Sequence, residues 1–470
     1  AATNLEGEFT VANVPAGSRS IIARFIGYKS LVKVVNVTGG GIAELNFELS
    51  ETALQLDEVV VTGTGIASEK RKLGNTVATV NSSQLENAPI TTLSEVLQGR
   101  EAGVSVLPSS GVVGEGARIR IRGSSSLSQS LEPIVYIDGV RMDNSGGFAG
   151  VGAGGGGVPS RLDDINPNAI ERVEILKGAA AATLYGTQAS NGIIQIFTKQ
   201  GQFGKPRFTL EIEQSGIDYP DVYKLNAGFA HTDAQLANMK TVFNDQTLQL
   251  YQVVEKPFVK NLFSTGYGQT YSLGVSGGGS GVTYFASARY QNTNGPYSPS
   301  SSDFLGAEPG PGEDKLARTQ FTATLNIVPS NKLNIRMTSG YSRVNQEAID
   351  NNNNIYGVLS LAMFGKPERV VPLNAAGLNG NAQGTAAFAT VREASFQETK
   401  DNTDHATVSL GTTYKMSKEI SIDGTVGIDY VSQRSSNLNP FAWNVDGFST
   451  FLVDGDLQIG KREHTEWTVD

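Results

Sequence analysis

Gly274-Val275-Ser276-Gly277-Gly278 has the spacing of a nucleophile elbow, where a serine on a sharp strand-to-helix turn attacks an acyl carbon. That chemistry needs a helix after the turn, and here an alternating apolar–polar stretch follows from Val282, so Ser276 belongs to a strand. Gly152, Gly154 and Gly157 match a pyrophosphate-cradling glycine pattern. They lie in a glycine run with no strand before it and no helix after it, and read as a loop. The three histidines, His231, His405 and His464, are far apart and lack metal-ligand spacing, so each reads as a loop or lumen residue. Asp163 and Asp164 are adjacent, which gives no basis for separate acid and base roles; a solvated turn is expected. With 0 cysteines there is no thiolate chemistry and no disulfide. No enzymatic activity, metal or cofactor is expected.

The elements around these residues are mostly strands. The chain has 470 residues, with 54 glycines, 18% charged residues and a net charge of −9, which argues against nucleic-acid binding. No run of about 18 apolar residues occurs, so a transmembrane helix is excluded while a barrel is not. Short strands are expected at Gly7–Val11, Arg19–Tyr28, Leu31–Val37 and Ile42–Leu49, forming a small β-sandwich without its first strand. Thr92-Leu93-Ser94-Glu95 has capping-box spacing, with Gly99 placed to end the helix. Arg118–Arg122 alternates Arg with Ile, and Asp138-Gly139 between two apolar runs signals a hairpin. Asn166-Pro167 is placed to start a helix, and Val173–Leu176 reads as a strand.

Particular segments carry resemblances. Gly7, Phe9, Val14, Pro15, Gly17 and Gly27-Tyr28 resemble the carboxypeptidase regulatory-like domain, an accessory module with a transthyretin-like fold. Leu56-Asp57-Glu58-Val59-Val60-Val61-Thr62-Gly63 is a β-forming run that suits either a further sandwich strand or a free strand adding to a partner's sheet edge. It resembles the TonB box of TonB-dependent transporters, above all the SusC/RagA family. Ile119–Gly123, with Arg120, Arg122 and Gly123, resembles the first of the family's plug-domain motifs. Val135–Val140, with Tyr136, Asp138 and Gly139, and Ile170–Gly178, with Glu171, Arg172, Glu174, Lys177 and Gly178, follow in the family's order. Tyr185-Gly186 and Asn191-Gly192 through Lys199 are similar to the end of a SusC-type plug. Arg120, Arg122, Glu171, Arg172 and Glu174 stand in apolar strand patterns, where a charge needs a partner. They suit salt bridges inside the plug or a breakable contact with the barrel wall.

Beyond residue 205 the chain alternates. Val282, Tyr284, Ala286, Ala288 and Tyr290 share one face against Thr283, Ser287 and Arg289, with Phe285 as exception. Strands are expected at 207–215, 268–277, 281–292, 318–328, 332–344, 405–415, 419–433 and 459–470, with short and long connections strictly alternating. Tight turns at one end and long loops at the other are the habit of outer-membrane barrels. Eight strands enclose no room for a plug, and about 22 are needed, so the chain is expected to be a fragment of a larger barrel.

The expected fold is therefore mainly β: a partial sandwich over 1–50, a linker with the TonB box over 51–66, an α+β plug over 67–203, and the first barrel strands over 204–470. The resemblance implies TonB-dependent import of an oligosaccharide or peptide across the outer membrane of a Gram-negative bacterium. It implies the TonB–ExbB–ExbD complex, a SusD-like lipoprotein, outer-membrane lipid and a nutrient ligand as partners. A secreted or surface-attached β-rich adhesion protein is the alternative.

Overall fold

A computed structural model describes residues 8–23, 31–48, 59–61, 67–69, 77–81, 92–107, 111–123, 131–144, 160–178, 181–182, 185–219, 225–279, 281–349, 357–375, 380–384, 389–417, 420–450 and 453–470. The chain divides into an N-terminal unit and a much larger one beginning in earnest at Asn75.

In the first unit, β1 (Gly17–Ala23) and β2 (Leu31–Val37) form an antiparallel ladder, in register from Gly17↔Val37 to Ala23↔Leu31. The strands expected around Phe9 and Ile42 are not formed by residues 8–11 and 42–48, which have no ladder partner among the described residues. Apolar alternation there brings Phe9 and Phe47 together, ring centroids 5.9 Å apart, without backbone pairing. A side-chain contact can satisfy such a pattern; a strand also needs a neighbour's N–H and C=O groups. The valine run contains β3 (Val59–Val61), paired with β4 (Ala67–Glu69).

The larger unit holds an inner α+β domain. β5 (Val77–Asn81) precedes a short helix, Leu93–Leu97, whose capping box forms as the spacing predicts: Glu95 N–H donates to Thr92 Oγ1 and Thr92 N–H to Glu95 Oε2. β6 (Val104–Leu107) and β7 (Arg118–Ile121) make a separate antiparallel ladder. β8 (Ile134–Ile137) and β9 (Val140–Met142) close over Asp138-Gly139, with φ of 45° and 85°, the left-handed pair that a tight hairpin turn requires. Asn166-Pro167 starts a three-residue 3-10 turn rather than an α-helix, because β10 (Ile170–Leu176) begins at once and pulls the backbone extended. With β11 (Ile193–Thr198) the sheet order is β5-β10-β11-β8-β9. Ile119, Ile121, Val135, Val173, Ile175, Ile194 and Ile196 pack with Leu93, Val96 and Leu97 into one core. Gly192 is obligatory: its φ is +94°, and a Cβ there would lie 2.8 Å from Ile121 Cδ1 and 2.9 Å from the Leu176 carbonyl oxygen.

Against this domain stands an antiparallel sheet of eight strands in sequence order. Its strands are β12 (Gly204–Ile217), β15 (Gly266–Gly279), β16 (Val282–Asn294), β17 (Lys315–Ser330), β18 (Leu333–Ala348), β19 (Glu398–Lys415), β20 (Ser421–Asn439) and β21 (Asp456–Val469). β13 (Asn226–Gly228) and β14 (Val254–Lys256) form a small ladder in the first long loop. All eight expected strands are present, each longer than the pattern suggested, and short turns alternate with the long loops 218–265, 295–314, 349–397 and 440–455. The parity holds. Phe208, Leu210, Ile212, Phe321, Ile422, Tyr430 and Trp467 are exposed on the outer face, while Arg289, Arg318, Gln320, His405, Asp429 and Gln433 are buried on the inner one. A soluble sandwich buries its apolar face; this sheet buries its polar one, as a membrane barrel does. The sheet is open, with β12 and β21 at its edges. The long loops pack on one another: Val259, Leu262, Tyr297, Phe304, Leu361, Val391 and Trp443, drawn from all four, share a core.

Candidate functional site: the seam between inner domain and wall

The inward face of the sheet meets the inner domain along a polar seam running from the short-turn end to the long-loop end. At the short-turn end, Arg336 on β18 donates to Asp138 Oδ1 at 2.7 Å and to the Thr198 carbonyl at 3.2 Å. Thr198 donates back to Asp138 Oδ2 at 2.6 Å, so the hairpin turn is tied both to its own sheet and to the wall. Gly427 on β20 lies so close to Val140 that a Cβ would fall 2.0 Å from Val140 Cγ2.

The middle of the seam is ionic and buried. Arg161, Leu162, Asp163 and Asp164 form a 3-10 turn capped by Ser160, whose Oγ accepts from Leu162 N–H at 3.2 Å. Arg161 Nη1 lies 3.1 Å from Asp164 Oδ2. Asp164 also meets His405 on β19, which reaches Asp429 on β20 with its other ring nitrogen. Asp163 accepts from Ser94 Oγ at 3.2 Å, while Gln320 on β17 donates to the Asp163 carbonyl at 3.0 Å. The adjacent carboxyls are driven apart. Burial pushes Asp163 up, against the pull of Arg318 and the Ser94 hydrogen bonds. Burial opposes the charge on Asp164 too, but Arg161, His405 and Arg318 outweigh it and hold that carboxyl below its ordinary range. Nearby, Asp143 N–H donates to Asp429 Oδ2 at 3.0 Å, Arg462 on β21 stands 2.7 Å from Asp143 Oδ2, and Asn166 donates to Ser287 at 3.1 Å.

At the long-loop end, Val113 N–H donates to Asp314 Oδ1 at 2.9 Å and Gln346 donates to the Val113 carbonyl at 2.6 Å. Burial, helped by Glu115 and opposed by the Val113 hydrogen bond, pushes the Asp314 carboxyl up to about 6. A raised carboxyl favours the folded state only while protonated, so this contribution is full below the ordinary value near 3.8 and is lost as pH rises through about 6. Asp314→Asn should therefore stabilise the protein at neutral pH by at most about 3 kcal/mol, and change nothing at pH values below the ordinary aspartate range. Thermal melting of both forms across this range checks it, and a variant that melts lower at neutral pH would contradict it.

Several expectations change here. Asp163 and Asp164 are not a solvated turn: both are buried and anchor the seam. His405 is a lumen-facing residue as expected, but bonded on both ring nitrogens. Of the five charges singled out in apolar strands, Glu171, Arg172 and Glu174 pair with one another inside the inner domain. Arg172 pairs with Glu174 at 2.8 Å and lies 3.8 Å over the Phe197 ring, with Glu171 3.9 Å away, all within the inner domain. Arg120 sits on β7, and Arg122 follows it with φ +60°, its N–H bonded to the Gly103 carbonyl at 2.7 Å. Lys177 is tied to Glu101 and the Ala102 carbonyl, and Tyr185 accepts from Gln195 and packs on Tyr136 with centroids 5.3 Å apart. Gly123, Gly178 and Gly186 take positive φ, and Asn191 precedes Gly192 at the entry to β11. Of the valine-rich segment, Val59–Val61 are a strand; Leu56, Asp57, Glu58, Thr62 and Gly63 lie outside the described residues, as do Gly152, Gly154 and Gly157. Ser276 lies inside β15, paired with Arg207 and Phe285, where an elbow's turn and helix have no place.

Next to the hairpin turn, a cavity of about 550 Å³ opens between domain and wall, lined by Tyr136, Asp138, Tyr185, Gln195, Arg336 and Thr425 among others.

A compact α+β domain held by polar contacts to the hydrophilic face of an outward-apolar strand wall defines the class: a stoppered barrel. Residues 69–193 match the TonB-dependent Receptor Plug Domain, and residues 1–61 match the CarboxypepD_reg-like domain. The TonB-dependent receptor SusC of Bacteroides thetaiotaomicron is 30% identical over 311 residues, covering 66% of this chain and 28% of that protein. The TonB-dependent receptor P26 of Formosa agariphila is 31% identical over 226 residues, 47% of this chain and 21% of that protein. Among solved structures, the RagAB peptide importer in its closed-closed state aligns with a TM-score of 0.60 at 18% identity, over 84% of this chain and 45% of that one. The chain thus spans less than half the length of these relatives, and its similarity is to TonB-dependent receptors of SusC type, with a fold like that of the RagAB importer.

Proposed function

We propose that the protein carrying this chain imports a nutrient across an outer membrane, driven by pull on residues 56–63 from the periplasmic side. The carrying observation is the seam: a folded inner domain with its own apolar core sits on an outward-apolar strand wall through polar side-chain contacts. In this reading the short turns face the periplasm, the long loops face outward, and the plug's strand motifs hold its own fold. Units over 1–50, 51–66, 67–203 and 204–470 serve as accessory domain, coupling linker, plug and wall. Force on the valine strand, relayed by a TonB–ExbB–ExbD complex, displaces part of the plug and opens a path along the wall. A SusD-like lipoprotein closing over the outer loops and an oligosaccharide or peptide cargo are the finer parts of the proposal. They draw on SusC and on the RagAB peptide importer as relatives, and the loops' shared core offers a lid a stable rim.

The test is uptake by the full-length protein in its own cell. Accumulation of labelled oligosaccharide or peptide should collapse when the inner-membrane proton gradient is discharged, while binding to whole cells persists. Uptake that survives discharge would overturn coupling, and a product released into the medium without heat-modifiable migration would overturn the barrel.

A further inference from the structure

We propose that His405 is a proton-dependent clasp that seats the plug against the barrel wall. This rests on the reading of the inner domain as a movable plug, and adds the group that holds it. Nδ1 of the buried His405 ring lies 3.1 Å from Asp164 Oδ2 on the plug, and Nε2 lies 2.7 Å from Asp429 Oδ1 on β20. A neutral imidazole has one N–H, so one of these contacts would set a nitrogen lone pair against a carboxylate oxygen. The imidazolium donates to both. Asp429 also takes the Asp143 N–H on its second oxygen, so one wall carboxylate joins the histidine to a second plug segment.

The charged neighbours come from every side. The plug supplies Arg161, Asp163 and Asp164, β17 supplies Arg318, and β20 supplies Asp429. β21 sends Arg462 to Asp143, and Arg289 on β16 is within electrostatic reach of Glu213 on β12. On β18, Ser342 stands opposite His405 in the ladder, and Thr338 and Ser342 line the same small pocket as the ring. Asp164 and Asp429 face the ring from its two sides, with Asp163, Arg161, Arg318 and Arg289 around them. Arginine keeps its charge throughout, so histidine is the member whose charge changes near neutrality. Loss of that proton breaks one of the two hydrogen bonds and leaves a plug carboxylate facing a wall carboxylate across a neutral ring. Binding of the proton and seating of the plug are therefore linked.

The test is hydrogen exchange of the segment 160–166 in the full-length protein, followed by mass spectrometry from about pH 6 to about pH 9 with intrinsic rates divided out. Opening of this segment should rise about tenfold per pH unit above the free-imidazole value of about 6.5. His405→Gln should exchange fast throughout with a flat profile, whereas His231→Gln and His464→Gln should keep the slope. A flat wild-type profile, or a slope that survives His405→Gln, overturns the proposal. Should His405→Gln fail to assemble, the wild-type slope in the His231→Gln/His464→Gln background decides alone. A pH-dependent segment in a protein without energised uptake would leave the clasp standing and remove the transport reading.

Discussion

Val60→Pro should reduce energised uptake to background while solute binding at the outer loops stays at the wild-type level. Val60 is the central residue of β3, which already pairs as a strand with β4, so its backbone adopts the geometry that edge-to-edge addition requires. In such addition the main chain supplies the affinity. Proline removes the Val60 N–H and sets a ring where a partner strand must approach. The outer loops are untouched, because their shared core is built from Val259, Tyr297, Leu361 and Trp443, far from residue 60 in sequence and wholly within the larger unit. Val60→Ile keeps the N–H and the β preference, and should transport normally. The measurement pairs accumulation in energised cells with binding to de-energised ones. Unchanged accumulation in Val60→Pro would remove residues 56–63 as the coupling strand, and parallel loss of binding would mean that the substitution damaged assembly instead.

How much of this was legible in the sequence depends on the range over which each feature is encoded. The wall strands were legible because alternation is local: Phe321, Ala323 and Leu325 against Thr322, Thr324 and Asn326 reports two faces whatever the distant chain does. The hairpin at Asp138-Gly139 and the capping box at Thr92 and Glu95 are likewise written within a few residues. The N-terminal strands failed because alternation near Phe9 and Ile42 says nothing about whether a neighbouring backbone will pair. The seam was missed because its partners are separated along the chain, Asp138 with Arg336, Asp164 with His405, Asp143 with Arg462. Arg161-Leu162-Asp163-Asp164 carries the composition of a surface turn, and only tertiary placement buries it. One signal was available. Arg318, Gln320 and Thr324 share parity opposite Phe321, so alternation alone marks them as lumen-facing, and a lumen that holds a plug must answer Arg318 with an acid.

Arg161→Met should unseat the plug more strongly than any substitution of an exposed charge. Arg161 is fully buried and stands 3.1 Å from Asp164, which is itself almost fully buried. Removing the guanidinium leaves the buried Asp164 carboxylate to His405 and the more distant Arg318, a loss of up to about 3–5 kcal/mol. The pair is coulombic rather than well bonded: Arg161 Nε, Nη1 and Nη2 make no hydrogen bond of good geometry. Its burial is thus incompletely compensated, and replacing both partners should be milder than replacing one. Arg161→Met combined with Asp164→Asn should recover part of the loss, because the unpaired charge is gone while the amide oxygen can still accept from His405. Lys461→Met offers the contrast, because Lys461 and Glu463 pair at 2.8 Å away from the seam, with side chains 66% and 53% exposed, and no change in plug seating should follow. Ion conductance of the full-length protein in planar bilayers reads the outcome directly, since an unseated plug leaves an open pore. Arg161→Met should conduct, the double variant should conduct less, and Lys461→Met should stay closed. A closed Arg161→Met channel with normal melting would mean that the ionic turn contributes nothing to seating and that the Arg336–Asp138 end holds the plug alone.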